Sequence, residues 1–479
     1  MTLARLWAFL AVGLPVLAAL IANLSSVDLA YHLRAGEMFL DTGHIPTTDT
    51  FTFTASGAAW LNQQWGAQVI LAAVYRLAGW TGLALLRAAL VGLAFGFLFE
   101  ACRRRGVDLR RAAWLTIAAF VVSAVALALR PQLFGMALMT LTLLLVADRR
   151  AHPARLWAVP VVVMIWANMH GSFFLGPVVL GLAWLEDVHD RIPNPHRTLL
   201  IAVVAAAAAL INPLGVGVWA YAAGLSTNAF VTSRISEWQP TTLRTIPGIL
   251  FFGSAALVTL LLARRGRATT WPTVLWIGVF FAIGAYAIRG VAWWPLGAAV
   301  AVAGVLATSR VEGETPARAR LERSSRLNLV VVGLIVAVCI VLLPAWRTVD
   351  PRVGAPPGVI GDAPPGVTAA LRELARPGDR ILNPQRWGSW FELALPDTLV
   401  AIDSRIEVFP VDVWTDYDVI RSGGPRWQET LARMNPKFIV ATDDEDAFVA
   451  RLATAGWHDA YHDDDGTILV PPVASLASP

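Results

Sequence analysis

Apolar residues run along this chain in long blocks broken by polar turns, near 6–22, 78–99, 112–129, 133–148, 156–170, 173–186, 198–212, 246–263, 272–289, 291–307 and 327–344. A helix needs roughly 20 apolar residues to cross hydrocarbon about 30 Å thick. The blocks therefore predict about 11 transmembrane helices, the shortest at the limit of that length. The first block follows Arg5 and also reads as a signal peptide, and either reading leaves residue 25 onward outside. Long outer loops are expected at 23–77 and 212–245. Beyond the last block, "VDPRVGAPPGVIGDAPPGV" is Pro/Gly-rich and reads as a linker. After it, "TAALRELA", "RWQETLARM" and "DAFVARLATAG" read as helices, and "DRILN", "TLVAID", "KFIVAT" and "GTILVP" as short strands. The predicted fold is a polytopic α-helical membrane protein with a small C-terminal extracytoplasmic α/β domain. Its expected parts are a transmembrane domain at 1–344, a linker at 345–378 and the soluble domain at 379–479.

Charge gives the chain a direction. Arg5, Arg103, Arg104, Arg105, Arg110, Arg111, Arg149, Arg150, Arg155, Arg191, Arg197, Arg264, Arg265, Arg267, Arg310, Arg318, Arg320, Arg323 and Arg326 all fall on one side of an eleven-span chain. The positive-inside rule makes that side cytoplasmic. It puts the N-terminus in the cytoplasm and the C-terminal domain outside. Composition agrees: 56% hydrophobic and 15% charged residues, against about 25% charged in soluble domains. The net charge of +4 is uneven, because residues from Arg347 onward are net acidic. The basic excess is a topology signal, so membrane lipids are expected partners and nucleic acid is not. The two cysteines, Cys102 and Cys339, are expected near opposite membrane faces, and no metal-type cysteine cluster exists.

Ionisable groups at membrane depth are costly and mark function. They gather at the outer ends of spans and in the outer loops. Asp28 in "SSVDLAYHLRAGEMF" shares a helical face with His32, four residues on, if this stretch is a helix. A carboxylate there can take a proton from a hydroxyl nucleophile, or it can serve as a helix-start residue. Asp49 in "HIPTTDTFTF" has the same two readings. Together Asp28 and Asp49 would allow a divalent cation, although neither spacing nor a dense acidic cluster demands one. Arg130 in "RPQ" and Arg289 in "IRGVAWWP" suit a lipid phosphate or plain interfacial anchoring, and Arg234 and Glu237 in "RISEWQP" suit a local ion pair at the surface. His170 in "WANMHGSFF" can touch substrate or bond a neighbouring helix. Trp60, Trp65 and Tyr75 suit a membrane surface. In the soluble domain Asp403, Arg405, Glu407 and Asp416 read as an acceptor site or a salt-bridged loop network.

The stretch "DLAYHLRAGEMFLDTGHIPTTDTFTFTASGAAWLNQQWGAQVI", with "RPQLF", "WANMHGSFFLG", "NPLG" and "ISEWQP", resembles bacterial members of the GT-C superfamily over roughly residues 1–300. These are polytopic glycosyltransferases akin to protein mannosyltransferases and aminoarabinose transferases. The later stretch "NPQRWGSWFELALPDTLVAIDSRIEVFP" looks like the soluble tail of one subgroup and is faintly similar to the oligosaccharyltransferase soluble domain. The resemblance implies an inverting transfer from a polyprenyl-phosphate-linked sugar to a glycan, lipid or protein acceptor outside the cytoplasm. The family's catalytic acid sits just after the first span, where Asp28 stands. His32, Asp49, Arg130, His170, Arg234, Glu237 and Arg289 would then bind substrate, and Trp60, Trp65 and Trp238 would stack on sugar faces. Where the family often has an Asp-Glu pair, Leu29 follows Asp28. Two other classes remain in view. A lipid-linked sugar transporter or flippase predicts polar groups through the membrane depth, where Arg87 is the one clear mid-span charge. A non-catalytic cell-envelope scaffold predicts that Asp28→Ala keeps function.

Overall fold

The computed structural model describes residues 1–227, 229–307 and 324–472, so Arg310, Arg318, Arg320 and Arg323 lie outside the described residues. The chain divides into two compact units. The first is Met1–Ala22 with Leu83–Leu343, and the second is Asn23–Gly82 with Pro344–Pro479.

The first unit is helical. Among the described residues, seven helices are long and apolar enough to cross a membrane: Leu3–Ile21, Trp65–Arg104, Leu109–Ala126, Pro131–Asp148, Gly171–His189, Ile246–Ala268 and Ile288–Ala307. The other expected spans coincide with shorter apolar helices, Pro153–Ala167, His196–Ala208, Trp271–Tyr286 and Arg326–Val341. These fall below the ~20 residues of a straight crossing. The 40-residue helix Trp65–Arg104 is broken at Gly79, whose φ of 54° and ψ of −147° suit a residue without Cβ.

Pro131–Asp148 and Ile288–Ala307 form the centre of this unit, while Leu3–Ile21 and Ile246–Ala268 are mostly uncovered. Away from the helix ends their uncovered side chains are mostly apolar; Leu257 is 70% exposed. A continuous apolar wall of this kind is unfavourable in water and suits lipid. Pro131 opens its helix at the first position, with Arg130 extended before it. The helix is 18 residues long, about 27 Å at 1.5 Å per residue, close to the hydrocarbon thickness. At its C-terminal end a network of ion pairs ties three helices together. Arg104 meets Asp148 at 2.7 Å, Arg149 meets Asp187 at 2.8 Å and Arg105 meets Glu186 at 2.5 Å. Arg150 and Arg155 join the network through Asp190 and Asp148. Five arginines expected on one membrane side therefore share one end of the helices. Mid-span Arg87 donates to the carbonyl of Ala22, the C-cap of Leu3–Ile21.

The second unit is built on a five-stranded sheet. Its strands are β3 (Arg380–Leu382), β4 (Leu399–Val400), β5 (Phe438–Thr442), β6 (His458–Asp463) and β7 (Gly466–Val470), in the order β4-β3-β5-β7-β6. β3 runs parallel to β4 and β5, while β7 pairs antiparallel with β5 and β6. The expected strands and helices of the tail are present. So are helices at Gln385–Ala394 and Val411–Ser422 and the strand β6, which local pattern did not announce.

The division differs from the expected one, because the loop after the first helix belongs to this unit. β1 (Leu24–Ser25) pairs in parallel with β2 (Ile360–Gly361). Residues 51–54 run beside β4, with Phe53 N–H donating to the Val400 carbonyl at 3.1 Å and Thr54 Oγ1 to that of Ala401 at 2.5 Å. Helix Ser26–Thr42 packs on Gln385–Ala394, where Gly388 lies so close to the Ile402 carbonyl that a Cβ would collide with it. The Pro/Gly-rich stretch 345–378 contains β2 and the helix Pro365–Leu374, with proline at the helix start, where its missing N–H costs nothing.

Candidate functional site

In the first unit the candidates converge at the end of the helices opposite the arginine network. Arg130 precedes helix Pro131–Asp148, and Arg289 lies in the short turn Ile288–Ala292 that leads into Trp293–Ala307. Glu237 sits between them: Arg130 Nη2 is 2.7 Å from its Oε1 and Arg289 Nε is 3.4 Å from its Oε2. The Arg289 guanidinium lies 5.1 Å over the Trp238 ring. Backbone bonds hold this arrangement. Ile288 N–H donates to Gln239 O at 3.0 Å, and Thr241 N–H to Ala285 O at 3.2 Å. Gln132 reaches the Arg289 carbonyl at 3.4 Å. Two guanidinium groups face one carboxylate here, and all three side chains are only partly covered.

His170 lies at the same end. Its Nδ1 accepts the Ser172 backbone N–H at 3.2 Å and is 2.7 Å from Ser172 Oγ, which in turn accepts from Trp166 Nε1 at 3.1 Å. This network favours the Nε2–H tautomer. The ring sits by Gly135 of helix Pro131–Asp148 and 6.3 Å from the Trp293 ring, between the two helices that begin at Arg130 and Arg289. Arg234 ends the helix Ala229–Arg234, with its guanidinium 5.1 Å over Phe230.

Asp28, His32 and Asp49 belong to the second unit. Asp28 is in the first turn of Ser26–Thr42, half-buried, where the helix dipole favours negative charge. His32 is one turn further along the same helix and is buried. Its Nδ1 is 3.3 Å from Gln68 Nε2, and Gln68 exchanges two amide bonds of 2.8 Å with Asn62. The turn bearing Asp28 is tied down from several sides. Ser26 Oγ donates to Asp362 O at 2.7 Å, Leu24 N–H to Val359 O at 2.8 Å, and Ser404 Oγ to Val27 O at 2.8 Å.

Asp49 is wholly buried. Its Oδ1 takes Arg405 Nη2 at 2.6 Å, and its Oδ2 takes Thr52 Oγ1 at 2.6 Å and Thr52 N–H at 3.1 Å. Both oxygens are occupied, so Asp49 does not suit sharing a divalent cation with Asp28, which the sequence allowed without demanding. Among the described residues no group of three His, Cys, Asp or Glu could hold a metal ion.

Arg405, expected in an acceptor site or a salt-bridged loop network, is the centre of a buried charge cluster. Its side chain has no exposure, and neither do those of Asp49 and Asp403. Arg405 Nε meets Asp403 Oδ2 at 2.9 Å and Nη2 lies 3.7 Å from Glu392 Oε1. Trp60 and Phe51 lie 4.6 and 4.7 Å from the guanidinium carbon, so Trp60 covers Arg405 instead of facing a sugar. Three carboxyl groups surround one guanidinium, and neither oxygen of Glu392 receives a hydrogen bond. Burial, then the neighbouring Asp403, hold the Glu392 carboxyl well above its usual range, while Arg405 opposes them. A proton on Glu392 also allows it to donate to Asp403. Asp416 is apart from this cluster, 2.7 Å from Arg433 at the surface.

No family model and no curated protein matches the sequence. Solved structures do. The archaeal oligosaccharyltransferase AglB from Archaeoglobus fulgidus, in complex with an inhibitory peptide and a dolichol-phosphate, superposes with a TM-score of 0.56 at 12% identity, over 99% of this chain and 75% of that one. The oligosaccharyltransferase of the same organism, tethered with an acceptor peptide containing the NVT sequon, gives 0.52 at 13% identity, over 98% and 74%. The fold is that of these archaeal oligosaccharyltransferases. At this identity the likeness speaks for the fold alone, both its apolar helices and its sheet-containing C-terminal part, and it agrees with the fold expected from the motifs.

Proposed function

We propose that this chain is a membrane glycosyltransferase that moves a sugar from a polyprenyl-phosphate donor to an acceptor hydroxyl on the extracytoplasmic face. The observation that carries the reading is the paired arginine centre around Glu237, in a chain whose GT-C fold is shared with an enzyme solved with a dolichol-phosphate. The donor's C1–oxygen bond breaks and its electron pair leaves with the lipid phosphate. Arg130 and Arg289 stabilise that developing anion, and fixed cations aimed at developing charge are a large catalytic term. The acceptor oxygen bonds C1 from the opposite face, inverting it, and its proton passes to Asp28. His170 and Arg234 bind substrate groups, and Trp238, already carrying Arg289, offers a stacking face. The N-terminus and the arginine network face the cytoplasm, and the acceptor is a glycan, lipid or protein.

The test is transfer in reconstituted membranes from a panel of polyprenyl-phosphate sugars. Asp28→Asn is expected to lower the turnover rate about 10²–10⁴-fold and to leave the donor KM near its original value. Full transfer by Asp28→Asn would remove Asp28 from the chemistry. Translocation of lipid-linked sugar without any transfer would favour a flippase.

A further inference from the structure

The tripeptide Asp403-Ser404-Arg405 touches the first-loop segment at two points of different kind. Ser404 Oγ donates to the Val27 carbonyl at 2.8 Å, one residue before Asp28, and lies 3.1 Å from Ser389 Oγ on helix Gln385–Ala394. The next side chain, Arg405, enters a pocket made largely by the first loop: Asp49 at 2.6 Å, with Tyr31, Phe51 and Trp60 around its guanidinium. Tyr31 stands on the same helix as Asp28, three residues later. Asp403 fixes the geometry of the tripeptide by accepting both the Arg405 backbone N–H at 2.6 Å and its guanidinium. Each of these partners lies more than 350 residues from the first-loop residue it holds, with separations of 377 for Ser404 and Val27 and 356 for Arg405 and Asp49.

A carboxylate on an untethered loop would wander. One in the first turn of a helix whose carbonyl is gripped from outside would not. We infer that Ser404 and Arg405 are positioning residues for Asp28, and that the C-terminal part of the chain serves the transfer reaction by fixing the base. This rests on the reading of Asp28 as the base. Arg405 sets the loop as a whole, through its charge and the aromatic rings around it. Ser404 sets the turn that bears Asp28 and is the finer of the two.

Ser404→Ala is the informative variant, because it deletes one hydroxyl and leaves the buried charges in place. Small misplacements of a reacting group cost up to 10²-fold, so the turnover rate is expected to fall about tenfold. The donor KM should stay within about twofold, since the arginines that hold the phosphate are untouched. Ser404→Thr keeps the hydroxyl and should restore most of the rate. The control is Thr54→Val, which removes a bond of similar kind between the same two segments, from Thr54 Oγ1 to Ala401 O at 2.5 Å, far along the chain from Asp28. It should stay within about twofold of the unaltered protein. Equal losses in Ser404→Ala and Thr54→Val, or wild-type turnover in Ser404→Ala, would overturn the positioning role while Asp28→Asn remains impaired. Full activity in Asp28→Asn would instead overturn the base assignment, and this inference with it.

Discussion

Replacing Glu392 by glutamine should make the second unit more stable, increasingly so as pH rises. Glu392, Asp403 and Asp49 crowd around Arg405 with side-chain exposures of 1% or less. Were all three ionised, the site would hold two uncompensated negative charges away from water, a cost of several kcal/mol. Retaining one proton relieves this, and Glu392 is the group that retains it, because burial comes first among the causes that raise its pKa. Unfolded, the group titrates near the ordinary glutamate value of 4.5; folded, it titrates well above. Between those two values the folded chain binds one more proton than the unfolded chain. The contribution is complete below pH 4.5 and is lost as pH rises towards the folded value, at up to about 1.4 kcal/mol per pH unit.

Glutamine keeps the shape, can donate to Asp403 and has no proton to lose. The variant should therefore match the unaltered protein near pH 5 and outlast it at pH 7 and 8. Thermal melts in nanodiscs, followed by tryptophan fluorescence, read this directly, since Trp387 and Trp390 flank Glu392 on the same helix. A difference that is constant with pH, or one that favours glutamate at alkaline pH, would mean that Glu392 is ionised in the folded protein and that the charge count fails.

Two further changes follow from the packing and the charges. Gly388→Ala puts a Cβ into the Ile402 carbonyl and should destabilise the second unit by about 1–3 kcal/mol, seen as a lower thermal midpoint at every pH. Glu237→Gln removes the carboxylate held between Arg130 and Arg289. Polyprenyl phosphate should then inhibit transfer severalfold more tightly, with a steeper loss in salt, and an unchanged inhibition constant would count against the arginines as the phosphate site.

What could be read from the sequence was what local pattern encodes. Four short apolar runs in the tail became β3, β4, β5 and β7, and "RWQETLARM" became the helix Trp427–Met434. The paired membrane arginines were visible because charge is scarce in apolar surroundings. Partnerships were not visible. Nothing near Ser25 announces Asp362, 337 residues away, so the outer loop read as part of the membrane domain and "GAPPGVIGDAPPG" as a linker. Asp49 looked like Asp28 in local context, an acid in an outer loop. Only the tertiary structure separates them, because it buries Asp49 against Arg405. The one clue lay in "VAIDSRIEVF", where an Asp and an Arg interrupt a run that otherwise reads as core. A charge in such a run needs a buried partner, and the sequence does not say which.

The two charged centres answer opposite demands with the same residue types. Around Arg405 the carboxyl groups outnumber the guanidinium, all are sealed from solvent, and a proton removes one of the two surplus negative charges. Such a centre gains nothing from admitting a substrate, since an anion would add to the negative surplus and a neutral group would have to displace Phe51 or Trp60. Around Glu237 two guanidiniums meet one carboxylate and all three side chains keep some exposure. Under the proposed reaction an incoming phosphate would bind there. Charge and access suit the first centre to holding the fold rigid, with Asp49 sealed inside it, and leave the second as the one that the proposed reaction would use.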